Sequence, residues 1–411
     1  MRFVAIVFLV FFVCGSAFSQ STYTGQSVEE LFELPEEEIN IGVASLVLAK
    51  EFYTDMNVDF FLYSFDYMAQ RFSEVFGQYE NPDERVRALN TYFYKSGFWN
   101  DGITFSYDDA DLHVTKLSNR FINGYIATKK GSCITMPLLY VIIGERLGWP
   151  IYPVRSAKHF FVRYIPKELS FNFQQNIETT NGGSFISDEQ YKLDVQIPDK
   201  SINNGVYLRT LSKKEYLASL LLINANQHLE KNNIETAKKY LRIAIQYDST
   251  FSSAYWNYAL IHFAEARKLE EELYYEQQTE ISYYEIQAMN KKNQEINPNQ
   301  NKQIQKNLMD FLKIETPEKA AYETFGQIKP DNEKANSTPK QNITINPNQR
   351  IELQSSLMEI EEKYKPKILA KLAVYREYKN KAEELGIVTK YPLEFFIKQS
   401  ESLKKFKEKG N

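Results

Sequence analysis

The stretch that most constrains this chain is Ile134 to Leu147, ITMPLLYVIIGERL, which is apolar nearly all round. A helix with no polar face must be enclosed on every side, so the fold has to be built around it. Gly148 and Pro150 predict its end, a residue at ease in the left-handed region followed by one that cannot continue the helix. Its start is marked by Lys129-Lys130-Gly131-Ser132-Cys133. Pro137 lacks an amide hydrogen, so the spacing places the first helical residue near Thr135 and leaves Cys133 in the turn before it. A thiol there faces unsatisfied N–H groups and the positive end of the helix dipole, which favour thiolate and offer donors to an oxyanion. Downstream, Ile151–Arg155 and His159–Ile165 are rich in β-branched and aromatic residues and read as neighbouring strands. A cysteine before a buried helix and a histidine on a following strand form a candidate nucleophile and base.

The 411 residues, 43% hydrophobic and 25% charged, suffice for two or more domains. A net charge of -4 leaves no electrostatic footprint for nucleic acid. Met1–Ser19, MRFVAIVFLVFFVCGSAFS, has one basic residue, an apolar run and small residues spaced for signal peptidase, and predicts export to the periplasm or exterior. The run falls short of the ~20 residues that span a bilayer, so an uncleaved anchor ranks second. Lipidation at Cys14 ranks third, because Val13 stands where a small residue is needed. With Cys14 removed, Cys133 has no partner in the chain, and a lone cysteine in an exported protein is a reactive thiol or an intermolecular link.

Ahead of the core, Ser27 and Glu30 form a capping-box pattern that opens a short helix ended at Pro35. Ile39–Tyr53 and Val58–Phe76 carry apolar residues at helical spacing, and Asn81-Pro82-Asp83-Glu84 is a strong helix start. Asp108, Asp109, Asp111 and His113 group three acids with a histidine. They lack the alternating oxygen ligands and glycine of a calcium loop, so a solvated loop is expected and no metal. Leu112–Tyr125 is then predicted to be helical.

Several segments in fixed order resemble the transglutaminase-like superfamily over residues 40–200, in the SirB branch that joins such a domain to tetratricopeptide repeats. They are IGVASLVLAKEFYTDMNVDFFLYSFDYMAQRF, NPDERVRALNTYFYKSGFWNDG, GSCITMPLLYVIIGERLGWPIYPV, KHFFVRY and NIETTNGGSFIS. The resemblance implies Cys133 as nucleophile, His159 as base and Asn176 where the superfamily usually has Asp. Many SirB relatives carry proline where Cys133 stands. An amide can still orient the imidazole, though without charge, and Glu178, two residues on and on the same face of a strand, is the fallback. Leu169–Ile177 is expected to return as a strand that carries Asn176 back toward the start of the His159 strand. Gly182-Gly183 marks a tight turn, and Asp188–Asn204 reads as a loop-rich crossing.

Beyond Leu208 the grammar changes. Leu221–Asn226 and Tyr255–Leu260 are offset by 34 residues, the tetratricopeptide period, with Ala237, Leu241 and Ala244 at packing positions between them. His228 and His262 match across the offset and read as surface or packing residues. INPNQ occurs at Ile296 and Ile345, each time as an Asn cap followed by Pro. Residues 315–344, polar and broken by Pro317, Pro330 and Pro339, read as a linker; the sequons at Asn336 and Asn342 arise there readily by chance. Arg350–Gly386 and Pro392–Lys409 read as charged, solvated helices.

The expected architecture is therefore α+β, with a papain/transglutaminase-like core of buried helix and antiparallel sheet, then all-α tetratricopeptide-like repeats and a helical tail. The expected segments are a signal peptide (1–19), helices (20–80), the core (81–206), repeats (207–270) and a charged tail (271–411). Two functions are implied. One is an exported thiol enzyme, a cysteine protease, amidase or transglutaminase-like acyltransferase using Cys133, His159 and Asn176 without a cofactor. The other is an inactive scaffold, with Cys133 a small buried hydrophobe. In either, the repeats are expected to hold a protein or peptide partner or, being so few, to dock on the core domain, with no nucleic acid and no membrane after signal cleavage.

Overall fold

The computed structural model describes residues 25–167, 174–296 and 345–408. The predicted signal peptide, the 315–344 linker with its sequons, most of the first INPNQ and part of the expected Leu169–Ile177 strand lie outside the described residues. The chain divides into two compact units, one running to Ile261 and resuming at Arg376, the other His262–Tyr375.

The first unit opens with α1 (Val28–Glu33), capped by the reciprocal Ser27–Glu30 pair, and α2 (Ile41–Lys50), whose residues are buried from Ile41 to Ala49. Next come α3 (Val58–Phe76) and α4 (Pro82–Tyr94), the latter with Asn81 as cap and Pro82 at its first position. β1 (Ser106–Tyr107) pairs in parallel with β2 (Lys130–Gly131). Between them the expected Leu112–Tyr125 helix is broken at Phe121 into α5 (Leu117–Arg120) and α6 (Ile122–Thr128). The central helix α7 (Thr135–Leu147) is buried from Thr135 to Gly144 and ends at Gly148 with φ 66°. Pro137 is its third residue, within the first turn, where proline is tolerated. Its enclosure comes from α2, α3 and α6 and from the sheet.

That sheet is antiparallel, in the order β3 (Ile151–Ser156), β4 (His159–Tyr164), β5 (Asn176–Ile177). The expected loop-rich crossing instead forms α8 (Asp188–Asp194) and α9 (Asp199–Asn203), anchored by buried Tyr191, Val195 and Ile197. Then α10 (Lys213–Glu230) and α11 (Ile234–Tyr247) pack as a pair, followed by the start of α12 (Ser252–Ile296). α10 also packs on α2, and Asn224 donates to the Leu48 carbonyl at 2.8 Å. His228 fills space between Phe52 and Tyr240, ring centroids 5.0 and 5.5 Å away.

One buried ion pair ties the helix pair to the sheet. Arg155 on β3 meets Asp248, just past α11, at 2.7 Å, donates to Ser219 on α10 at 3.0 Å and lies over the Phe251 ring. Their side chains are 4% and 0% exposed.

The second unit contains the later part of α12 and the earlier part of α13 (Pro347–Leu385), which run antiparallel. Phe263 meets Tyr375 at 4.9 Å, Glu265 pairs with Lys371 and Glu276 with Lys363, both at 2.8 Å. Asn346 caps α13 through the amide of Gln349, as the second INPNQ predicts. The last helix, α14 (Leu393–Glu408), departs from expectation: it is no solvated tail but belongs to the first unit, with Phe395, Phe396, Gln399, Ser400 and Leu403 buried.

Truncating one member of a buried ion pair strands the other charge, at a cost of about 3–5 kcal/mol. Asp248→Ala should therefore lower unfolding stability by roughly that amount in a urea titration; a loss below about 1 kcal/mol would show that Arg155 finds other satisfaction.

Candidate active site

Cys133 lies in the turn before α7 and is 4% exposed. Ser132 shapes that turn: its hydroxyl donates to the Asn119 carbonyl at 2.7 Å and accepts the Ile134 amide at 3.0 Å, while its own amide donates to Thr135 Oγ1 at 3.0 Å. Gly131 leaves room for this arrangement, since a Cβ there would fall 2.6 Å from the Tyr125 ring.

His159 is the first residue of β4, placed by a two-residue turn that pairs Ser156 with His159. Its Nε2 lies 2.6 Å from Glu178 Oε2, and both side chains are fully enclosed. The other oxygen of Glu178 accepts the amide and hydroxyl of Thr180 at 2.9 and 2.7 Å, and Tyr191 donates to Oε2 at 2.5 Å. Burial pushes the Glu178 carboxyl up, but His159 and the donors from Tyr191 and Thr180 outweigh it and hold the group below the usual range. Glu178 is thus a carboxylate, the hydrogen bond assigns the imidazole proton to Nε2, and Nδ1 is buried without a hydrogen bond.

The partner of the ring is Glu178 and not Asn176, which corrects the expected contact. β4 and β5 pair Arg163 with Asn176 and Val162 with Ile177. Asn176 therefore stands on the right face but four residues along β4 from His159, about 13 Å at strand rise. Its oxygen accepts from Arg163 at 2.7 Å, and its amide donates to Asp188 at 2.8 Å and to the Ile186 carbonyl at 2.9 Å. Continuing the same register sets Glu178 opposite Phe161, one diagonal step from His159 and within reach of a long side chain. The segment is held from behind: Tyr94 donates to the Thr179 carbonyl at 2.8 Å, and Asn90, itself bonded by Tyr140, donates to the Gly183 carbonyl at 3.0 Å. Gly183, at φ 74°, admits no side chain there, because a Cβ would lie 2.0 Å from Asn90 Oδ1.

Cys133 stands within electrostatic reach of Glu178, Tyr107 and Tyr391. Burial, with the Glu178 charge added, pushes its thiol up to about 12 against a small opposing pull from its own backbone N–H. The helix-end lowering expected from sequence is overridden. Phe395 and Phe396 of α14 stand 5.0 and 5.3 Å from the His159 ring, and Tyr391 stacks on Phe396.

The acidic cluster is not the solvated loop expected of it. Asp108 and Asp111 are buried and share Asn119 as donor at 2.9 and 2.8 Å; Asp108 also pairs with Lys116, and Asp111 accepts from Thr115. Among the described residues no set of His, Cys, Asp or Glu side chains is arranged to hold a metal.

The family model described as transglutaminase-like superfamily matches residues 61–220, from within α3 to the middle of α10. Residues 61–220 carry a transglutaminase-like superfamily domain. No curated protein and no solved structure matches the chain. The transglutaminase-like domain thus contains Cys133, His159 and Glu178 and all three strands of their sheet, whereas α2 and α14, which pack against it, lie outside the matched span. Among the described residues no helix is long and apolar enough to cross a membrane.

Sequence reasoning missed Tyr191 and Thr180. Thr180 follows Glu178 in an Asx-like capping pattern that could have signalled it, since Glu178 accepts from its amide; nothing local marks Tyr191.

The unfolded Glu178 carboxyl titrates near 4.5 and the folded one lower. The unfolded chain therefore binds this proton first as pH falls, so the stabilisation is complete above about pH 4.5 and drains away as pH drops through the folded value. Glu178→Gln should flatten the acid side of a plot of Tm against pH below about pH 5; an unchanged slope would show that the carboxylate is not the group that titrates.

Proposed function

We propose that the transglutaminase-like domain is a thiol enzyme acting on amide bonds, with Cys133 as nucleophile, His159 as base and Glu178 in the orienting role first expected of Asn176. The observation that carries the reading is the enclosed Glu178–His159 pair, which fixes the ring by Nε2 and leaves Nδ1 as its basic nitrogen.

The chemistry follows from those groups. Cys133 gives its proton to Nδ1 as sulfur bonds to the substrate carbonyl carbon; the C–N bond then breaks, and the amine leaves with the proton from Nδ1. Water or a primary amine attacks the thioester, yields its proton to Nδ1, and sulfur departs and recovers it. Glu178 stabilises the imidazolium that forms twice in this cycle, which an amide at Asn176 would do without charge. The apolar run and small residues of Met1–Ser19 and the 34-residue offset between α10 and α12 support an exported protein of the SirB branch, its paired helices presenting a surface to a peptide. Asp248 and Arg155 direct one side of that helix pair onto the domain itself.

A specific observation favours the scaffold reading: a thiol pushed up to about 12 is protonated at neutral pH. The two readings separate by turnover. The chain is offered a glutamine-bearing protein with a fluorescent primary amine, and in parallel a peptide amide whose hydrolysis is followed by mass spectrometry. Expected is activity abolished by Cys133→Ser and His159→Ala, lowered on the order of 10²-fold or more by Glu178→Gln, and largely kept by Asn176→Ala. Activity that survives Cys133→Ser, or no turnover and no Cys133 adduct with a peptidyl electrophile, overturns the enzyme reading.

A further inference from the structure

We propose that α14 is an internal blocking helix: it lies over His159, with Tyr391 just before it standing beside Cys133, and the site opens when this helix lifts away. The proposal rests on the catalytic reading above and adds its regulation.

Four observations carry it. First, the helix presents one face to the site. Pro392 through Leu403 place Phe395, Phe396, Gln399, Ser400 and Leu403 inward, all buried, while Glu394, Lys398, Glu401 and Lys405 point to solvent. Second, that face meets the groups the chemistry needs. Phe395 and Phe396 cover the His159 ring at 5.0 and 5.3 Å, Phe395 also approaches Tyr191 at 6.0 Å, and the helix packs on the Thr179–Asn181 turn beside Glu178. Tyr391, just before the helix, is close enough to Cys133 for a charge on the sulfur to raise its phenol.

Third, its far end is fastened by polar contacts to one carboxylate. Ser400 donates to Asp109, and Lys404 pairs with Asp109 at 2.5 Å. Between this end and the β1–β2 pair runs a cleft of about 290 Å³, lined by Tyr107, Asp109, Lys130, Ser400 and Lys404 among others. Asp109 on its rim takes the basic side chain that α14 supplies, Lys404.

Fourth, the attachment suits a part that can lift without dismantling the fold. Gly386 and its neighbours are pinned to α9: the Gly386 carbonyl accepts from Ser201, the Glu384 carbonyl accepts from Asn204 at 3.0 Å, and the Val388 amide donates to Tyr207 at 3.4 Å. Beyond Val388 the chain is irregular until Leu393. The strands β3, β4 and β5 pair with one another, and the turn holding Cys133 is bonded by Asn119, Ser132 and Thr135. That turn and the Glu178 hydrogen bonds are made by residues before 192.

The test uses the full chain carrying Cys14→Ala, so that iodoacetamide reports Cys133 alone. Expected is slow alkylation at pH 8, about tenfold or more faster labelling with Ser400→Ala plus Lys404→Glu, and a larger gain with Phe395→Ala plus Phe396→Ala. A synthetic peptide of residues 389–408 added to either variant should restore protection, which it would not do for a chain that had merely unfolded. Labelling rates unchanged by the Ser400/Lys404 pair and by the aromatic pair overturn the proposal, as does fast labelling that the peptide fails to suppress. The outcomes stay separate from those for catalysis. An opened, peptide-protectable chain without amide turnover upholds the blocking helix and removes the enzyme reading. Turnover at full rate with α14 closed does the reverse.

Discussion

A carboxylate and an imidazole shut away from water, 2.6 Å apart, set the terms for the rest of this domain. Enclosing Glu178 is unfavourable unless the charge is met from several directions. The fold meets it with the His159 ring, the Thr180 amide and hydroxyl, and the Tyr191 phenol. Each donor comes from a different place: a strand start, a turn and α8. The pair therefore only exists once sheet, turn and helix have come together. It is also why α8 matters, although composition alone marked that region as connecting chain.

The same enclosure works against the sulfur. Glu178 adds to the burial that raises the Cys133 thiol, so the carboxylate that favours a charged ring disfavours a thiolate. Burial is the larger of the two causes. The Arg155–Asp248 pair plays a comparable part at the back of the sheet, fixing β3, and through it the turn that starts β4, against α10 and α11.

Much of this was legible because it is local. The apolar run and its glycine stop gave α7 almost to the residue, Pro137 gave its start, and cap-plus-proline patterns gave α4 and α13. Cys133 and His159 were marked by their places at the edges of these elements. What could not be read depended on distance along the chain. Strand register decides between Asn176 and Glu178, and only two residue pairs of β4 and β5 define it. Arg155 meeting Asp248 spans 93 residues and has no periodic signature. The charged composition of Leu393–Glu408 outweighed its one apolar face, so its packing on the domain was hidden, and the acids at 108 and 111 looked solvated because their donors follow only later.

The β4–β5 ladder has a further consequence. Successive residues on a strand alternate faces, so sliding β5 by one position would turn both acceptors away from the ring. Sliding it by two would restore the face while bringing Asn176 to the place Glu178 now holds. The chain thus carries a charged and an uncharged orienter one pleat repeat apart. Gaining two residues in the connection ahead of β5 is the smallest change of length that would set the amide where the carboxylate now stands.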